Sequence, residues 1–215
     1  MTIPTSLGFQ GLELQAGEHL CGVYAGALQR DEILLPFLRA GLEAGDKCIC
    51  IVDGTEPAEI VAALGVPEGE STSAGIKQLD VIRASDAYLR SGKFSAAETI
   101  ATWKAAISEV MYLGRFARIR AVESWSLRDV VPDTGELLQL ETEMTHYLAL
   151  YPQVILCLYD IDRFGGEIIS DVIKLHSKVL VRGMIVENPF YLAPDEVLAS
   201  PYPHGENSAS DRVGR

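Results

Sequence analysis

Residues 32–54, EILLPFLRAGLEAGDKCICIVDG, decide the fold. They read as a helix, a glycine stop at Gly45, and a continuous apolar run, KCICIVD at 47–53, of the kind expected for a strand covered on both faces in a parallel sheet. In nucleotide-binding versions of this α/β unit a glycine-rich loop ending in Gly-Lys-Ser/Thr precedes the helix, and its backbone N–H groups and lysine cradle phosphates. Here residues 19–32, HLCGVYAGALQRDE, take that place, with no lysine and no such ending. The architecture of a phosphate-binding protein is expected without its phosphate chemistry, and His19 and Cys21 stand nearby instead.

Working outward, LCGVY at 20–24 is a first strand, and Asp31 is a plausible N-cap for a helix over 33–44 that tolerates Pro36 near its first turn. A short helix is expected at 56–64, a polar loop at 65–77 and a strand at 79–85. The longest helix begins at Ser95 or Ala96 and runs to Leu113, with Ile100, Trp103, Ile107, Val110 and Met111 on one face. RIRAVESW at 118–125 alternates so that Ile119, Ala121, Glu123 and Trp125 share one side of a strand. A helix at 136–149, a strand at 154–160, a helix at 166–176 and a strand or extended segment at 179–194 complete the pattern. Strands alternating with helices predict a three-layer α/β sandwich with a mostly parallel central sheet. Residues 1–18 read as an extension or edge segment, 19–199 as a single domain and 200–215 as a disordered, apolar-poor tail.

Thirty acidic against eighteen basic residues give a formal charge of −12 over 215 residues, which repels a phosphate backbone and an anionic membrane surface alike. Direct nucleic-acid binding and membrane attachment are therefore not expected. No basic segment followed by an apolar run opens the chain, and no run approaches the roughly 20 apolar residues that span a bilayer, so a cytoplasmic location is expected. Cys21, Cys48, Cys50 and Cys157 lie in apolar, strand-like surroundings that suit reduced, buried thiols better than disulfides.

Ligands of open α/β sheets bind at the carboxyl ends of the strands. That rule selects Tyr24, Asp53, Ser85, Asp86, Glu123 to Trp125 and Tyr159 to Arg163, a mixture of rings and a few polar groups that suits a small, partly apolar ligand better than a polyphosphate. His19 and Cys21, two apart on one strand face, could be a metal pair, an imidazole-activated thiolate, or a buried thiol beside a histidine satisfied by backbone. Cys48 and Cys50 could join them around zinc, but structural zinc sites place cysteines on turns, so no metal set is expected. Glu123, an acid in an apolar strand, must be paired, protonated or at work; Arg118, Arg120 and Arg163 are its candidate partners. Trp125 is a pocket wall or core packing, and His176 complements a helix dipole. Asp160 and Asp162 suit a turn cap, with Arg163 paired to a carboxylate. Gly-x-Ser-x-Gly, His-Glu-x-x-His and Cys-x-x-Cys motifs do not occur, and no catalytic set is expected.

In their order and spacing, HLCGVY with LLPFLRAGLEAGDKCICIV, RAVESWSLRD, CLYDIDRFGGEIISDVIKLHSKVLV and ENPFYLAP resemble the MEDS family, a sensory domain of methanogens and methylotrophs also found in the regulator of dichloromethane dehalogenase. The likeness spans residues 19–194, and residues 33–52 also resemble the helix and strand after the phosphate loop of KaiC-like ATPases, implying a RecA/KaiC-like core. The resemblance implies a non-catalytic sensor of simple hydrocarbon derivatives, with His19, Cys21, Glu123 and His176 on the family's motif positions. With the strand-end residues, the expected ligand-binding set is His19, Cys21, Tyr24, Glu123, Trp125, Tyr159, Arg163 and His176, with no cofactor and no metal. The sequence shows no DNA-binding, kinase or phosphatase module, so the signal is expected to pass to a separate regulatory protein or through homo-oligomerisation. The alternatives are a degenerate nucleotide-binding protein without hydrolysis, an enzyme using Cys21 as nucleophile and His19 as base, and a scaffold.

Overall fold

The computed structural model describes residues 8–11, 15–66, 77–114, 116–148, 150–194 and 196; most of the expected 65–77 loop and all of the 200–215 tail lie outside them. Two β-α units open the domain: β1 (Gln10–Gly11), β2 (His19–Tyr24), α1 (Gly26–Glu43), β3 (Lys47–Val52) and α2 (Pro57–Leu64). There follow β4 (Leu79–Arg83), α3 (Ala84–Tyr88), α4 (Ala96–Tyr112), β5 (Ile119–Trp125), α5 (Thr134–Leu148) and β6 (Gln153–Asp160). The last elements are α6 (Gly166–Lys174), β7 (Lys178–Val181) and β8 (Met184–Glu187). Among the described residues they form one sheet of eight strands in the order β1-β8-β7-β2-β6-β5-β3-β4, parallel at every pairing except β7 with β8.

The strands β2, β3, β5 and β6 are almost wholly buried, as their apolar runs predict for a sheet covered on both faces. One apolar layer holds Leu34, Phe37 and Leu38 of α1 and Ile60 of α2 against Leu20, Cys48, Cys50, Val122 and Leu156. The other holds Trp103 and Ile107 of α4, Leu137 and Met144 of α5 and Val172 of α6 against Cys21, Ile51, Ala121, Trp125 and Cys157. The alternation read in residues 118–125 is therefore correct. Cys48 and Cys50 face away from Cys21, so a zinc set joining them to His19 and Cys21 cannot assemble.

Three local expectations are corrected. The first helix begins at Gly26, so Asp31 lies inside it rather than capping it, and Pro36 lies in its interior. Gly26 adopts φ +71°, which turns the chain straight off β2, and the Gln29 side chain accepts the Ala25 N–H at 2.6 Å in place of a conventional cap. The strand expected over 79–85 stops at Arg83, because Ala84–Tyr88 coils into α3 and buries Ala84 and Tyr88. The extended segment at 179–194 is a hairpin: Arg182 and Gly183 have φ of +49° and +76°, the paired positive values of a type I′ turn. Arginine in the first of those positions hid the turn, since Asn or Asp is the usual signal there.

Glu123 does not pair with the arginines of its own strand. Asp46 takes both, at 2.9 Å from Arg118 Nε and 3.0 Å from Arg120 Nη2, on the α1 side of the sheet. Gly41 makes room for that pair, since a Cβ there would lie 2.5 Å from Arg120 Cδ and 2.8 Å from Cys48 Sγ.

Candidate functional site: a polar cluster on an apolar sheet face

The sheet register brings together residues distant in sequence. Cys21 lies beside Cys157, Cys157 beside Glu123, and Tyr159 beside Trp125, all on the face covered by α4, α5 and α6. His19 precedes Cys21 by two residues and shares its face. Onto this row α5 presents Glu141, which stands in the apolar stripe Leu137, Met144 and Leu148 and is 2% exposed.

Glu141 is the hub. Tyr159 Oη donates a hydrogen bond to its Oε1, Cys157 Sγ lies 3.7 Å from Oε2, and the imidazoles of His19 (Nδ1, 3.9 Å) and His176 (Nε2, 3.4 Å) face the same Oε2. The two imidazole rings lie 4.2 Å apart, centroid to centroid. The Thr145 hydroxyl donates to the Glu141 carbonyl at 3.0 Å, so at 2.9 Å from His19 Nε2 its oxygen acts as acceptor and Nε2 carries the proton. His176 Nδ1 donates to the Val172 carbonyl at 2.7 Å. Each outer nitrogen is thereby satisfied, while the inner ones, His19 Nδ1 and His176 Nε2, are buried with no hydrogen-bond partner.

Burial, reinforced by His176, drives the His19 pKa down to about 3 against the opposing pull of Glu141 and the Leu175 carbonyl, so this imidazole is neutral at physiological pH. Burial opposes ionisation of Glu141 too, but the nearby His176 ring, then His19 and the Tyr159 hydroxyl, outweigh it and hold its carboxyl below the ordinary range. Glu123 behaves oppositely: burial and then the Glu141 charge lift it to about 8, against Tyr88 and Trp125, and it is a neutral acid at pH 7. Tyr88 stacks on Trp125 at 4.6 Å, and the Oη of one and Nε1 of the other have no hydrogen-bond partner.

The structure thus brings His19, Cys21, Tyr159, His176 and Glu123 around one carboxylate, with Trp125 at the end of the row. Two expected residues stand apart. Tyr24 points to the other face, its Oη bonded to Ser124 Oγ at 3.2 Å and to the Trp125 carbonyl at 3.0 Å, and Arg163 is exposed on the turn after β6. Asp53 is structural: its carboxylate accepts the backbone N–H groups of Ser126, Arg128 and Asp129 and ties β3 to the loop after β5. Asp160 caps the Asp162 N–H at 3.1 Å, as its turn reading required. Sequence reasoning missed Glu141, Thr145 and the place of Cys157. The signal for Glu141 was present, an acid on the apolar stripe of a helix, the same anomaly that singled out Glu123.

Burial, then Glu141, raises the Cys21 thiol well above an ordinary cysteine, the reverse of what a nucleophile needs. The Cys21 side chain instead borders a cleft of about 640 Å³ between α6 and the β7–β8 hairpin. Ile169, Ile173, Val179, Val186 and Phe190 wall it, and Asn188, Lys174 and Ser170 supply polar groups. A second cleft, of about 480 Å³, lies at the β4 edge under α4; the Lys47–Asp80 ion pair (2.6 Å) borders it, and it contains none of the eight expected residues. Only Ala25 separates β2 from α1, which leaves no room for a phosphate-binding loop.

By fold, then, this is a mostly parallel-sheet α/β domain with no phosphate loop between β2 and α1, carrying a polar cluster beside an apolar cleft. The family model described as MEDS, MEthanogen/methylotroph, DcmR Sensory domain, matches residues 18–177, and the chain belongs to that family. It is also similar to the transcriptional repressor DcmR of Methylorubrum extorquens, 27% identical over 171 residues that cover 77% of this chain and 60% of that protein. The chain spans about 60% of the length of this curated relative. Among the described residues no helix is long and apolar enough to cross a membrane.

Proposed function

We propose that this domain is a non-catalytic cytoplasmic sensor that takes a small, largely apolar organic molecule, a simple hydrocarbon derivative, into the cleft between α6 and the β7–β8 hairpin. The observation that carries the reading is the cleft itself: about 640 Å³, mostly apolar, with Cys21 at its border beside the Glu141 cluster. That volume lies within the range of small-molecule pockets, and its apolar walls with a few polar groups suit orientation of one functional group. The cleft also reaches Val23 and Gly166, near the end of β2 and the start of α6, the strand-end position where α/β sheets bind ligands.

Signalling requires unequal ligand affinity for two states, and a difference of about 1–3 kcal/mol is typical. A ligand touching both α6 and the hairpin favours the state in which the two are held together. The output passes to a separate regulatory protein or through self-association, in transcriptional or signal-transduction control; the name of the similar repressor supports that direction. The formal charge of −12 argues against direct contact with nucleic acid. In this reading the core is a RecA/KaiC-like scaffold whose phosphate loop has been lost, and nucleotide is not the ligand.

A thermal-shift screen against short alcohols, halogenated alkanes, small acids and nucleotides tests the reading. A ligand of the folded state at a hundredfold excess over its Kd adds about 2.7 kcal/mol. A shift with an organic molecule that Cys21→Ser weakens supports the sensor; a shift with nucleotide alone overturns it.

A further inference from the structure

The inner nitrogens of His19 and His176 form an arrangement that the apolar cleft does not explain. Both are buried, both lack a hydrogen-bond partner, and both face Glu141 Oε2. The outer nitrogens are taken up by Thr145 and Val172, so the two inner nitrogens are the free ring atoms, and both converge on one carboxylate oxygen with the Cys157 sulfur alongside. Such a convergence is costly unless something positive lies among the four atoms.

We propose that His19 Nδ1, His176 Nε2, Glu141 Oε2 and Cys157 Sγ form a binding site for one divalent transition-metal ion of the zinc class. His19, His176, Glu141 and Cys157 each offer one ligand atom within 4.8 Å of those of the other three. Tetrahedral zinc with its usual bond lengths places nitrogen and oxygen ligands about 3.3 Å apart and sulfur about 3.5 Å from oxygen. The corresponding separations are 3.4 Å (His176 to Glu141), 3.9 Å (His19 to Glu141) and 3.7 Å (Cys157 to Glu141), so movements of about half an ångström close the shell on these edges.

The surroundings are those that metal sites require. Ligating histidines hand their second N–H to a carbonyl or hydroxyl, as His176 does to Val172 and His19 to Thr145, and Tyr159 holds the other Glu141 oxygen. A divalent ion with one carboxylate and one thiolate is neutral overall, which suits a site closed to water. On binding, the Cys157 S–H bond breaks, the sulfur keeps the electron pair and bonds the metal, and the proton leaves to solvent. Cys21 is outside this set of four, and its sulfur lies against the Gly22 carbonyl oxygen at 4.0 Å. The inference stands whether or not the cleft takes an organic molecule.

The test is to strip the full chain of metal with a chelator, titrate it with Co²⁺ as the probe, and then displace the cobalt with Zn²⁺. The expected result is saturation at about one ion per chain, tetrahedral ligand-field bands, a thiolate-to-cobalt charge-transfer band and release of about one proton. Cys157→Ser abolishes the charge-transfer band and weakens binding by more than about 100-fold, whereas Cys21→Ser keeps both. Thr145→Val, which touches only the outer shell, keeps the band and weakens binding about 10- to 100-fold. Should Cys157→Ser fail to fold, the wild-type spectrum and the Thr145→Val affinity decide. Absence of tetrahedral bands in folded wild type, a thiolate band that survives Cys157→Ser, or one that disappears in folded Cys21→Ser overturns the site.

Discussion

His19 on β2 and His176 after α6, 157 positions apart in sequence, stand with ring centroids 4.2 Å apart and turn their unpartnered nitrogens toward the same oxygen of Glu141. The sheet supplies one ring, the end of a helix the other, and α5 the carboxylate between them. Asn188 secures the His176 backbone by donating to its carbonyl at 2.8 Å, so the hairpin that borders the cleft is also tied to the cluster.

The hydrogen bond from Tyr159 to Glu141 is charge-assisted and fully buried. Tyr159→Phe is expected to cost about 1.5–3 kcal/mol in urea unfolding of the metal-free protein, with the m-value unchanged.

Glu123 gives stability a distinctive pH dependence. Its folded pKa, about 8, lies above the ordinary value of 4.5, so its contribution is fully present below pH 4.5 and is lost as pH rises toward 8. Glu123→Gln removes this dependence. Comparing chemical denaturation of the two proteins at pH 5 and pH 8.5, the wild type should lose stability relative to the variant, at up to about 1.4 kcal/mol per pH unit within that window.

Asp46 holds Arg118 and Arg120 where β5 begins. Asp46→Asn removes the carboxylate from a buried pair, and a loss of about 3–5 kcal/mol is expected in equilibrium unfolding.

All four cysteines are buried free thiols; burial pushes Cys48 up to about 12 and raises Cys21, Cys50 and Cys157 as well. Iodoacetamide at pH 7.5 should therefore leave the folded protein unlabelled over hours and modify every cysteine in denaturant, as mass spectrometry would show. Rapid native labelling at Cys21 would restore the nucleophile reading.

Much of the fold was legible because buried parallel strands announce themselves as apolar runs and α4 carries a regular stripe. The start of α1 was not, since Gly26 and Gln29 do the work of a cap from positions where no capping residue is sought. The hairpin escaped because Arg182 occupies a left-handed position that favours Asn or Gly. Within the site, strand alternation placed His19, Cys21, Glu123 and Tyr159 on one face, but which helix lies over that face is a tertiary fact. Glu141 could be suspected from its apolar stripe; its role as hub depends on the packing of α5 against β2 and β6. Tyr24 shows the converse error, because strand-end position alone says nothing of the face to which a side chain points.

The most direct test of the sensor reading is a calorimetric titration of the best organic ligand from the screen into wild type, Val179→Trp and Tyr24→Phe. Val179→Trp fills the cleft beside Cys21, whereas Tyr24→Phe alters a strand-end residue on the opposite face of the sheet. Saturable binding at about one molecule per chain is expected, with an affinity loss of at least about 100-fold in Val179→Trp, some 2.7 kcal/mol, and no change in Tyr24→Phe. Full binding by Val179→Trp, or loss in Tyr24→Phe alone, would contradict the sensor reading.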